Sequence, residues 1–84
     1  MKEKDLNHAL KQYRSGQRSL LELEDWITSR EEYWASLPST SPERQAVDDI
    51  MLAVYERQAG HRTEESVAAV VHQALTKLEA AQRV

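Results

Sequence analysis

Apolar residues along this chain return at steps of three and four, the interval that aligns side chains on one face of an α-helix. Leu6, Ala9, Leu10 and Tyr13 form the first such stripe, and Gly16 follows where a helix can close in the left-handed conformation. A second stripe, Leu20, Leu23, Ile27, Trp34 and Leu37, predicts one helix running from residue 20 to the residue before Pro38, because a residue preceding proline avoids helical geometry. Ser19 and Glu22 open it with the spacing of a capping box: the hydroxyl meets an orphan N–H and the carboxylate reaches back. Val47, Ile50, Met51 and Val54 make a third stripe after Ser41-Pro42, an N-cap followed by proline at the first helical position. Glu43 sits favourably near that helix's positive end, and Gly60 closes it. The fourth stripe is Val67, Val70, Val71, Ala74, Leu75 and Leu78, capped by Thr63, with Glu64 and Glu65 in its first turn and a tail expected to fray near Arg83.

No segment alternates polar and apolar residues long enough to make a strand, and there is no Asn-Gly or Asp-Gly hairpin turn. Short connections at residues 15 to 19, 38 to 41 and 60 to 63 favour antiparallel neighbours. The expectation is therefore an all-α fold, an antiparallel four-helix bundle, with residues 1–84 as a single helical domain. Its expected core contains Leu10, Leu23, Ile27, Val47, Val54, Val70 and Leu78.

Length narrows the functional classes. A chain of 84 residues buries only about 60 % of its unfolded surface, so its helices share one small core rather than enclose a deep substrate cavity. Cysteine is absent, which removes disulfides and thiolate metal sites and suits an intracellular home. Met1-Lys2-Glu3-Lys4-Asp5 is charged and no later run approaches the ~20 apolar residues of a membrane span. Neither a signal peptide nor a membrane contact is expected, and the location expected is cytoplasmic.

The formal charge of −3 is unevenly distributed. Residues 1 to 21 hold five basic and two acidic side chains, residues 22 to 65 four and eleven, and residues 66 to 84 two and one. An acidic middle segment repels nucleic acid and attracts basic partners, speeding encounter more than it tightens the final complex. The alternative is a merely solvated face.

Candidate chemistry is sparse. His8, His61 and His72 lack the spacing of a zinc motif, and no Gly-rich phosphate loop, nucleophile elbow or acid–base pair accompanies them. The reading is of a protein that is not an enzyme and needs neither metal nor cofactor. Gly60-His61-Arg62-Thr63 before an apolar helix invites comparison with DNA-reading motifs, yet that helix opens with Glu64 and Glu65, which phosphates repel. No nucleic-acid partner is expected.

The outward helix faces are more informative. At 100° per residue, Glu22, Asp25 and Glu32 project away from the second stripe, with Trp26 and Tyr33 at one border. Opposite the third stripe lie Asp49, Leu52 and Glu56, with Asp48 and Tyr55 on an adjacent flank. Carboxylates around aromatic anchors match the charged rim and desolvated centre of a protein interface. The same aromatics could instead widen the core, and an outward Leu52 could support a homodimer.

Tyr13-Arg14-Ser15-Gly16, then Ser19-Leu20-Leu21-Glu22-Leu23-Glu24-Asp25-Trp26-Ile27, a later Trp34, and Val47-Asp48-Asp49-Ile50 ahead of Val54-Tyr55 together resemble the bacterial self-protective immunity proteins of the colicin D immunity type. The likeness spans roughly residues 5 to 80, and Leu23 stands where many relatives have an aromatic. It implies a small acidic helical inhibitor whose carboxylates occupy the basic, RNA-binding active site of a tRNA-cleaving toxin. The competing expectation is a small helical adaptor or regulator, a homodimer joined through Trp26, Tyr33 or Leu52.

Overall fold

A computed structural model describes residues 5–82, so the charged start, Met1 to Lys4, and the tail at Arg83 lie outside the described residues. Five helices follow one another: α1 (Asp5–Arg14), α2 (Leu20–Thr28), α3 (Glu31–Ser36), α4 (Pro42–Gln58) and α5 (Glu64–Gln82). Among the described residues there is no strand.

The helix ends obey local chemistry. Ser19 and Glu22 complete the capping box, the Glu22 N–H donating to Ser19 Oγ at 3.1 Å and the Ser19 N–H donating to Glu22 Oε1 at 2.8 Å. Thr63 Oγ1 accepts the Ser66 N–H at 3.1 Å at the start of α5. Gly16 and Gly60 close α1 and α4 with φ of 86° and 85°. After α4 the Gly60 N–H donates to the Arg57 carbonyl and the His61 N–H to the Glu56 carbonyl, the paired bonds that satisfy carbonyls left over at a helix end.

The expected second helix is corrected: the chain breaks at Ser29-Arg30 and resumes as α3. Thr28 Oγ1 donates to the Glu24 carbonyl at 2.7 Å and Ser29 Oγ to the Trp26 carbonyl at 2.9 Å. Such local bonds compete with helical continuation. The Ile27 carbonyl, which in an unbroken helix would accept the N–H of residue 31, instead accepts the Arg30 N–H at 3.0 Å and the Trp34 indole N–H at 2.8 Å.

One apolar cluster joins all five helices, from Leu6 and Leu10 on α1, through Leu23, Ile27 and Trp34, to Ile50 and Val54 on α4 and Val67, Val71, Leu75 and Leu78 on α5. Of the expected core, Leu10, Leu23, Ile27, Val47, Val54 and Leu78 are buried. Val70 is corrected to a half-buried position at the margin, because Val67, Val71, Ala74 and Leu78 already occupy the inward stripe of α5. The most extensive packing is α4 along α5, with α1 also against α5 and α2 against α1. Lys11–Glu79 at 3.5 Å and reciprocal Asn7–Gln82 amide bonds at 2.9 and 3.2 Å fasten α1 to α5 at the surface. The short α3 packs on α4, which leaves a cleft between them.

Candidate docking cleft and acidic surface

Trp34 organises the region. Its ring is buried, with Trp26 at 5.9 Å between centroids and Tyr33 edge-on at 5.0 Å. The Arg30 guanidinium lies 4.1 Å from the centre of the Trp26 ring, within range of a cation–π contact. Trp26 is thus half-buried and stacked on its outer side, whereas Tyr33 stays half-exposed at 51 %.

A cleft of about 260 Å³ runs between α4 and the α2–α3 segment. Ile27, Val47 and Trp34 supply buried parts of its wall, Met51 and Tyr55 more open parts. Glu31 enters from α3, and Asp48 and Arg44 from α4. Arg44 Nη1 donates to the Leu37 carbonyl at 2.9 Å, so this cation already serves the end of α3.

The ten residues singled out by helical geometry separate into distinct places. Asp48 and Tyr55 line this cleft. Asp49 and Leu52 line another, between α4 and α5, beside Arg62, Val70, Gln73 and Lys77. Leu52 and Tyr55 are 58 % and 57 % exposed, consistent with their place on the outer side of α4. Glu56 is engaged within the chain: Arg62 donates to its Oε1 from Nη2 at 2.7 Å and from Nε at 2.9 Å, while Arg62 Nη1 donates to Ser66 Oγ at 2.8 Å. Glu22 is exposed but holds the cap of α2, and the Ser19 backbone N–H, followed by the Ser19 side chain, keeps its carboxyl below the usual carboxylate value. Asp25 and Glu32 are exposed on α2 and α3.

Glu31, Arg44 and Met51 were not among those ten. Glu31 escapes a helical wheel that runs unbroken through residues 29 and 30, since the break resets the angular register. The adjacent hydroxyls of Thr28 and Ser29 were the available sign of that break. Leu21, 67 % exposed beside Glu24 and Arg57, is a further outward apolar residue.

Among the described residues, no group of three or more His, Cys, Asp or Glu side chains could hold a metal ion, and no helix is long and apolar enough to cross a membrane. No family model, curated protein or solved structure matches the chain.

Proposed function

We propose that this protein is an immunity or antitoxin-like inhibitor that binds and silences a basic nuclease toxin in the cytoplasm, the toxin being of the tRNA-cleaving kind. The observation that carries this reading is the exposure of Asp25, Glu31, Glu32 and Asp48 on the helices that carry the aromatic cluster of Trp26, Tyr33 and Trp34 and, in the same cleft, Tyr55. The carboxylates draw a cationic surface inward, and the rings offer contact area that excludes water. A nuclease covered in this way loses access to its polyanionic substrate without any chemistry on the inhibitor's side. The accompanying architectural proposal is an antiparallel four-helix bundle in which α2 and α3 together form one broken arm.

The test is association with the toxin encoded by the neighbouring gene, measured across a salt series. Reversing Asp25 and Glu32 to Lys slows binding most at 0.01 M salt, where charges act over roughly 30 Å, and less at 0.15 M, where the range is about 8 Å. An unchanged rate and salt slope would exclude this face as the recognition surface.

A second reading, a homodimeric adaptor, draws on the exposure of Leu52 and Tyr55 along the same side of α4. Sedimentation would then give a dimer that Leu52→Glu converts to a monomer with little dependence on salt. A wild-type monomer at high protein concentration rejects it.

A further inference from the structure

The cleft between α3 and α4 has the chemistry of a receptor for one long cationic side chain. Its apolar wall is made by Trp34, Met51 and Tyr55, and carboxylates stand on both banks, Glu31 on α3 and Asp48 on α4. Its volume of about 260 Å³ lies below the range of drug-sized ligand pockets, room for one long side chain and too little for a folded element. Arg44 contributes the only cation of the lining, and its bond to the Leu37 carbonyl ties it to the end of α3. That leaves one negative charge in excess, and it directs an incoming cation toward Glu31 and Asp48.

We infer that this cleft docks an arginine side chain of the basic partner, its stem lying on Met51 and Trp34 and its guanidinium between Glu31, Asp48 and the ring of Tyr55. This deepens the inhibitor reading and rests on it for the partner's basic character. Arginine fits better than lysine because a planar, weakly hydrated guanidinium can stack on an aromatic face while bonding carboxylates in its plane. The chain itself displays the stacking part of this mode next door, where Arg30 covers Trp26 at 4.1 Å while its Nη1 donates to the Trp26 carbonyl and Ser29 Oγ. The apolar wall suits the methylene stem, which long cationic side chains bury while keeping the charge satisfied.

The probe is an acetylated, amidated tri-arginine peptide titrated into the full chain and followed by amide and indole NMR shifts. Expected are shifts at the Trp34 indole N–H and at amides of residues 28 to 35 and 47 to 55, with no saturable response to the neutral tri-citrulline homologue. Glu31→Gln and Asp48→Asn each weaken tri-arginine binding about twofold to fivefold, whereas Asp49→Asn, on the other flank of α4, leaves it unchanged. Equal binding of tri-citrulline, or an equal loss in Asp49→Asn, overturns the cleft. Its failure is separable from failure of the inhibitor reading. If the Asp25 and Glu32 reversals slow toxin association but Glu31→Gln and Asp48→Asn leave tri-arginine binding unchanged, the cleft falls and the inhibitor stands. If tri-arginine binds as expected but the toxin does not bind, the cleft stands and the inhibitor reading falls.

Discussion

The indole N–H of Trp34 donates to the carbonyl of Ile27 at 2.8 Å, seven residues back and across the break between α2 and α3. This bond gives the Ile27 carbonyl a second donor beside the Arg30 N–H and ties α3 to the end of α2 at the edge of the cleft. Because the Arg30 N–H still occupies the same carbonyl, Trp34→Phe removes a hydrogen bond without orphaning the acceptor. The expected loss is about 1–2 kcal/mol, the bond together with some indole area, read as a lower urea midpoint at unchanged slope. Equal stability of Trp34→Phe and wild type would show that the bond does not hold the break.

Burial separates two aliphatic residues of similar size. Ile27 is 2 % exposed and Leu52 is 58 % exposed. Ile27→Ala is expected to cost about 2–4 kcal/mol through lost contact and residual space, while Leu52→Ala stays within about 0.5 kcal/mol. Thermal unfolding of both variants, monitored by circular dichroism at low protein concentration, checks the ordering. Comparable losses would mean that the outer side of α4 is covered.

Gly60 holds φ at 85° with nothing within 4 Å of where a Cβ would stand. Gly60→Ala therefore meets no clash with neighbouring residues, and its cost is that of the left-handed backbone alone, about 1 kcal/mol. Gly16, with φ of 86° and equally open surroundings, responds alike. Urea unfolding of the two variants tests this, and a loss above about 3 kcal/mol in either would point to a packing role.

Glu22 links stability to acidity. Its folded carboxyl lies below the ordinary value of 4.5 because the Ser19 N–H bonds the charged form. A depressed folded pKa contributes stability that is present above the unfolded value and is lost as pH falls through the folded one. Glu22→Gln should therefore flatten the decline in melting temperature below about pH 4.5 and leave its slope between pH 6 and 8 unaltered. A parallel acid decline in both proteins would remove this bond from the pH response. Ser19→Ala, which takes away the hydroxyl half of the box, is expected to cost about 0.5–2 kcal/mol at neutral pH.

Sequence alone determined most of the local structure. The stripes of α1, α4 and α5, the caps at Ser19, Ser41 and Thr63 and the glycine stops at Gly16 and Gly60 all arise from contacts within a few residues, so they are legible in order along the chain. The outward placement of Asp25, Asp48, Asp49 and Leu52 follows from the same periodicity, whereas Glu32 lies beyond the break and is exposed on α3. Tertiary structure decided what one helix cannot encode. The hydroxyls of Thr28 and Ser29 mark the α2–α3 break locally, but that the Trp34 indole then reaches the Ile27 carbonyl across it is a matter of packing. The separation of Asp48 from Asp49 depends on which neighbour, α3 or α5, flanks each side of α4. The engagement of Glu56 by Arg62 requires the turn at Gly60 to bring the start of α5 back against α4. Periodicity orients a side chain around its own axis, and only packing selects what faces it there.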